Sequence, residues 1–314
     1  MASTCVLCCP SDGFLGDDAV PEPRLIALLE RAWGLTRVRV GVRHQTYPSR
    51  FVQRLESDQG AFALKVDRQP GSMVAGSERV QQHVASALPG HAPLIRAALD
   101  GELAVVEQGS RFVLQDDVGS GAPDDSRATW GRLGAILGAL HALPAIGRPF
   151  AIPVGAACDE LAIQANGYPF GADLLAMLSR LRQIATSPRA TLHGEVNLAN
   201  AVLGRCGDIA LVDWDQAGVG PIALDLGYPL ICVFLHLDLT FATEHALAFY
   251  RAYASRARDA AEIPPPGEVF AAALLHALRY LPFADTDQRW ARVAEAVRRE
   301  PELTTLVAVG LAGA

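Results

Sequence analysis

Lys65 is the only lysine among 27 basic residues, the other 26 being arginine. Asparagine is almost as scarce, occurring only as Asn166, Asn197 and Asn200. A chain that disfavours both residue types keeps them where chemistry requires them. A lysine ammonium is a compact point charge with three rotatable donors, suited to clustered anionic oxygens in a way the larger planar guanidinium is not. An asparagine amide and an aspartate carboxylate are hard oxygen donors, the kind that magnesium takes. Asn200 and Asp213 bracket a short hairpin, a spacing that brings a loop and a strand end to one ion. A lone Asp before a Trp, as in Asp213-Trp214, is ordinarily a turn or cap residue. Its relation to the loop His193-Gly194-Glu195-Val196-Asn197-Leu198-Ala199-Asn200 upstream makes it a metal-ligand candidate instead.

The surrounding pattern names the elements that must position these residues. Leu25, Ile26, Leu28, Leu29 and Trp33 recur at helical spacing, and Gly34 is placed to end that helix. Residues 37–42, 50–55 and 61–66 read as strands, the last two joined by the hairpin turn Ser57-Asp58-Gln59-Gly60. A helix is predicted over 77–88, then strands over 102–107 and 111–115. Val118 to Asp125 turns to Gly, Ser, Pro and Asp, a crossover between two lobes. Past it, helices are predicted from Asp125 or Ser126 to Leu143 and from Asp173 to Thr186, with about four more near the C-terminus. Two brief strands flank the turn Arg205-Cys206-Gly207-Asp208. The expected division is a flexible tail over 1–20, an N-terminal nucleotide-binding lobe over 21–117 and a C-terminal catalytic and substrate lobe over 118–314. The fold class is α+β, a small β-rich lobe followed by a larger, mainly helical one.

The order of the loop, Leu211-Val212-Asp213-Trp214 and Asp225-Leu226 resembles the aminoglycoside phosphotransferase and choline kinase-like family, which has a protein-kinase-like fold. Lys65 in Phe62-Ala63-Leu64-Lys65-Val66 resembles that family's third-strand lysine, and Leu137-Gly138-Ala139-Leu140-His141-Ala142-Leu143 resembles a helix end common in it. The resemblance covers about residues 24 to 300. It implies ATP or GTP and Mg2+ as cofactors, with transfer of a phosphoryl group to a hydroxyl by positioning and charge neutralisation. It implies Asn200 and Asp213 as metal ligands and Lys65 on the nucleotide phosphates. Glu78 is expected to hold Lys65, and Thr46, Gln115 and Asp116 are further nucleotide-binding candidates. It implies Glu195 and His193 as the catalytic-loop residues, Glu195 as general base or substrate-orienting carboxylate and His193 with its imidazole bonded to the loop backbone. It implies Asp225 as the residue that keeps the loop in shape by accepting backbone hydrogens, a helix N-cap being its rival role.

Two positions depart from the family pattern. Glu195 stands where the family has aspartate, one methylene longer, and displacement on that scale costs on the order of a hundredfold in rate. The turn over residues 42–49 has no glycine, which leaves Arg43, Thr46 and Ser49 as side-chain donors for phosphates. Two readings follow. One is a kinase acting on a hydroxyl of a small, cationic, aminoglycoside-like metabolite or of a peptide Ser or Thr. The other is a pseudokinase that binds nucleotide or scaffolds without turnover, because Glu195 replaces the aspartate.

Composition narrows the partners. Half the residues are hydrophobic, ample for two packed lobes. The net charge is −7, and residues from Pro144 onward carry 13 Arg against 18 Asp and Glu. Nucleic acid, which needs a basic face, is therefore not the expected partner. Asp215, Asp238, Glu244, Asp285 and Asp287 are candidates for a surface facing a cationic substrate. The opening residues lack a secretory signal pattern and the apolar stretch 223–239 is interrupted by charges, so a cytoplasmic protein with no membrane partner is expected. Cys5, Cys8 and Cys9 make a weak metal pattern in the tail, and Cys158, Cys206 and Cys232 are expected as small core residues.

Overall fold

The first helix, α1 (Glu22–Trp33), buries Leu25, Leu28, Leu29 and Trp33 along one face. Gly34 ends it at φ +66°, donating its N–H to Glu30 O. The computed structural model describes residues 22–47, 50–68, 76–150, 153–168, 171–182, 184, 187–204, 206–257, 263–281 and 286–312. The tail cysteines, Ser49 and Asp285 lie outside the described residues, as does the side chain of Thr46.

The chain divides into two compact units. One runs to Gly121 and takes back Val202–Asp215, while the other is formed by Ala122–Ala201 and the chain from Gln216 onward. The expected boundary at 117/118 compares with one after Gly121, and the later hairpin belongs with the earlier residues.

In the first unit β1 (Arg39–Tyr47), β2 (Arg50–Ser57), β3 (Gly60–Asp67), β4 (Val105–Glu107) and β5 (Ser110–Asp116) form an antiparallel sheet in the order β1-β2-β3-β5-β4. The β2–β3 register pairs Ser57 with Gly60 around Asp58-Gln59, and pairs Val52 with Lys65. Alternation puts Phe51, Leu55, Phe62, Leu64 and Val66 on one face, where they pack with Leu25, Leu28, Leu29 and Trp33. Lys65 therefore projects from the opposite face. Helix α2 (Ser77–Ala87) follows β3 in the chain. The stretch expected to be a plain crossover contains β6 (Gly119–Gly121), which joins β8 (Ala201–Gly204) and β9 (Ile209–Leu211) in a three-stranded sheet. Leu211 N–H donates to His91 O, and the His91 ring meets Ile209 O at 2.9 Å, which holds this hairpin in the first unit.

The second unit is mainly helical. It holds α3 (Arg127–His141), α4 (Val154–Ala165), α5 (Gly171–Leu181), α6 (Ile222–Cys232), α7 (Thr243–Ala257), α8 (Pro266–Arg279), α9 (Thr286–Arg298) and α10 (Glu300–Ala312). It also holds the strands β7 (Arg189–Leu192) and β10 (Gly218–Pro221), which pair antiparallel. Ser126 caps α3 by accepting Thr129 N–H. A Cβ on Gly134 would stand 2.1 Å from Phe249 O, and one on Gly138 would stand 2.6 Å from Tyr253 O, so α3 and α7 pack at a distance only glycine permits. Every residue of α6 is buried, in agreement with its apolar sequence. No helix among the described residues is long and apolar enough to cross a membrane. Cys158 and Cys232 are buried as expected, but Cys206 is exposed, because it sits in the β8–β9 turn and not in a core element.

Candidate functional site

In the first unit the site is built around Lys65. Its Nζ donates to Asp213 Oδ1 over 2.8 Å and to Asp215 Oδ1 over 2.6 Å. The side chains of Lys65 and Asp215 are only 15% and 17% exposed, so little solvent screens this pair. Burial alone would lower the lysine's proton affinity, yet the two carboxylates raise it above the ordinary value and keep the ammonium charged. Burial raises Asp215, with Lys65 and Arg50 opposing. Arg50 connects Asp215, at 3.6 Å, with the buried Asp67, at 3.2 Å. Asp213 adopts φ +62°, a left-handed conformation that aspartate tolerates better than most residues. It follows the end of β9, and Trp214 next to it donates its indole N–H to Leu211 O. The tight turn thus brings two carboxylates from adjacent odd positions to one cation.

Glu78 does not hold Lys65. Its carboxylate pairs with Arg111 on β5, and both side chains are largely buried. The arginine in register with Asp67 on β3 takes the carboxylate of the α2 start, and the lysine is left to the aspartates that follow β9. Of the other expected nucleotide residues, Gln115 accepts a hydrogen bond from Gln81, and Asp116 is held bidentately by Arg96 at 2.5 and 2.9 Å. Both side chains thus have protein partners. Asp215, read from sequence only as part of an acidic surface, is instead the nearer carboxylate to Lys65. Its signal was present in the sequence as a second Asp two positions from Asp213.

In the second unit the loop after β7 is fixed from below. Asp225, wholly buried in the first turn of α6, accepts His193 N–H over 2.8 Å, Gly194 N–H over 2.6 Å and His141 Nε2–H over 3.1 Å. Burial alone would raise this carboxyl, but the donors from His141 and His193 hold it below the ordinary aspartate range. His141 in turn meets Tyr253 OH at 3.0 Å. Gly194 has φ +103°, and a Cβ there would stand 2.8 Å from the Phe150 ring. The imidazole of His193 is fully buried and its Nδ1 accepts the N–H of Glu195 over 3.3 Å, an inward orientation that supports the loop.

Asn197 caps the single 3-10 turn Leu198–Asn200 by accepting Asn200 N–H. Asn200 Nδ2 donates to Glu195 O over 3.0 Å, which orients the amide and leaves Oδ1 as a hard oxygen donor. The carboxylate of Glu195 accepts from Gln216 Nε2 and from Tyr280 OH, both over 2.7 Å at Oε1. Neither Gln216 nor Tyr280 was marked by any motif. Of the remaining acidic candidates, Asp238 is bonded by Thr240, Glu244 is exposed and within 3.7 Å of Arg127, and Asp287 is exposed.

The donor set suits a divalent cation with phosphate. Asp213 and Asp215 already gather hard oxygens around one positive centre, and the Lys65 ammonium supplies the charge that phosphate oxygens need. No group of three or more His, Cys, Asp or Glu residues able to hold a metal by themselves occurs among the described residues.

The fold is that of kinases. Residues 44–264 match the phosphotransferase enzyme family, and the chain belongs to it. Among solved structures, an amicoumacin kinase in complex with AMP-PNP, Ca2+ and Ami is similar at a TM-score of 0.60 and 12% identity, over 90% of this chain and 94% of that one. A choline/ethanolamine kinase family protein from Mesorhizobium loti is similar at 0.59 and 18%, over 88% and 93%. A choline kinase from Cryptosporidium parvum Iowa II is similar at 0.60 and 11%, over 93% and 99%. No curated protein matches the chain.

Proposed function

We propose that the protein transfers the γ-phosphoryl group of ATP, with Mg2+, to a hydroxyl of a small molecule. The observation that carries this reading is the Lys65–Asp213–Asp215 cluster, a largely buried lysine kept charged by two carboxylates. A buried ammonium with two acidic partners is costly to assemble for stability alone, and it is suited to exchange partners with phosphate and a divalent cation. Bound magnesium would neutralise phosphate charge as it develops during transfer. Asp213 and Asp215 are the residues of the first unit that would hold it. Lys65 draws phosphate oxygens into place. Glu195 receives or orients the proton of the acceptor hydroxyl, while His193 and Asp225 keep its loop rigid. An acceptor bearing positive charge is favoured by the excess of acidic residues after Pro144.

The decisive experiment measures magnesium-ATP binding and turnover for the native chain, Glu195→Asp and Asp213→Ala, against a panel of aminoglycosides, macrolides, amino alcohols and Ser/Thr peptides. Binding of nucleotide with acceptor-dependent ADP release, both lost in Asp213→Ala, is the expected result. Binding without transfer to any acceptor, with transfer appearing in Glu195→Asp, would instead identify a nucleotide-binding pseudokinase. Failure to bind magnesium-ATP at millimolar concentration overturns the nucleotide assignment.

A further inference from the structure

The Glu195 carboxylate is gripped at one oxygen by donors from two distant parts of the second unit. We infer that Tyr280 and Gln216 are positioning residues that set a glutamate where the shorter aspartate of similar loops would need no such grip. This rests on the phosphotransfer reading above.

Tyr280 lies immediately after α8, 85 residues from Glu195 in sequence, and its hydroxyl donates to Oε1 over 2.7 Å. Its ring stands edge-on to Tyr228 with centroids 6.4 Å apart, and Tyr228 stands edge-on to His276 at 5.3 Å. Asn197 Nδ2 meets Tyr228 OH at 3.1 Å, so the ring next to Tyr280 is itself tied to the loop that carries Glu195. Burial, with Tyr228 and Glu195 beside it, raises the Tyr280 hydroxyl above its ordinary value and keeps it a proton donor at working pH.

Gln216 supplies the second donor at 2.7 Å, and its own Oε1 is buried without a hydrogen-bond partner. Turning the amide over would set an oxygen against the carboxylate. The observed orientation therefore satisfies Glu195 at the expense of a buried acceptor, a loss a purely structural glutamine would avoid. Glutamate adds one methylene, about 1.5 Å of reach, and one more rotatable bond. Two donors converging on Oε1 from α8 and from the segment after Asp215 remove that freedom. A glutamate so fixed presents its carboxylate in a single place, which is what a group acting on a hydroxyl proton must do.

The test is a double-mutant cycle of Tyr280→Phe with Glu195→Asp, read as magnesium-ATP turnover with water or the best acceptor, alongside nucleotide affinity. Tyr280→Phe is expected to lower kcat about 10- to 100-fold with nucleotide Kd within about twofold. In the Glu195→Asp background the same change is expected to alter kcat by less than about twofold, because the shorter carboxylate no longer meets the hydroxyl. Gln216→Met serves as a second arm should Tyr280→Phe fold poorly, with the same pattern expected. Equal losses in both backgrounds, or a change confined to Kd, overturn the inference. Proton NMR of the native chain supplies a readout that needs no turnover. The Tyr280 hydroxyl proton, identified by its loss in Tyr280→Phe, is expected downfield and displaced in Glu195→Gln. An unmoved resonance overturns the contact itself, whereas a displaced one with no turnover under any condition refutes the phosphotransfer reading and leaves the grip intact.

Discussion

The ammonium of Lys65 lies 2.6 Å from Asp215 Oδ1, closer than its 2.8 Å approach to Asp213. The lysine is shared between a residue expected to meet a metal and one that sequence did not associate with it. Its removal should therefore be felt as repulsion as well as lost binding. Lys65→Met is expected to cost about 2–4 kcal/mol, since it leaves two carboxylates close together with only Arg50, at 3.6 Å from Asp215, to offset their charge. Magnesium should recover more stability in Lys65→Met than in the native chain, because the ion takes over the vacated charge. Urea denaturation with and without 10 mM Mg2+, roughly in excess of surface binding, measures both effects.

Asp225 supports the loop through three donors in a site without water access. Asp225→Asn should cost about 2–4 kcal/mol, because an amide replaces a carboxylate that accepts from two backbone N–H groups and an imidazole. Hydrogen exchange at His193 and Gly194 should quicken in step. The native carboxyl is held below its usual value, so its contribution is complete at neutral pH and is lost as pH falls through the acid range.

His276 has the opposite relation to acid. Burial, with Arg279 adding to it, lowers its value from 6.5 to about 3, and Nε2–H donates to Leu224 O. Between these values the unfolded chain binds a proton that the folded chain refuses, so stability falls as pH drops below 6.5. One proton corresponds to about 1.4 kcal/mol per pH unit, or about 2 kcal/mol between pH 6.5 and 5. In His276→Gln, whose amide retains the bond to Leu224, that part of the slope should vanish from chemical denaturation measured across the same range.

Helix packing offers a check independent of catalysis. Gly134→Ala places a methyl 2.1 Å from Phe249 O, and α3 must move away from α7. A loss of about 1–3 kcal/mol is expected, visible as a lower thermal midpoint. Gly155→Ala, in α4 with nothing within 4 Å of the added carbon, should be neutral or slightly stabilising.

Local signals were legible where residues act through their neighbours in sequence. The Ser57–Gly60 turn, the helix stop at Gly34, the Ser126 cap and the His193–Asn200 loop each announce themselves within a few positions. Helix α5 was expected from 173 to 186 and runs over Gly171–Leu181, while the strand expected over 102–107 shrinks to Val105–Glu107. Helix α4 was missed, since Gly155 and a run of small residues weaken its periodic signal. The partners of Lys65 and Glu195 are long-range facts. Glu78 is charged correctly for Lys65, and only the strand register reveals that Arg111 claims it. Tyr280 carries no motif and meets Glu195 only because α8 ends where it does.

The return of Val202–Asp215 to the first unit bears on how the protein is made. A ribosome that has completed the five-stranded sheet still lacks the two carboxylates of Lys65 until 215 residues have been joined. Until then Lys65 has no acidic partner from the turn after β9, and burying an ammonium alone is unfavourable. The first unit therefore cannot mature by itself in the order of synthesis, and a fragment ending at Gly121 would be born without the charges that its own lysine requires.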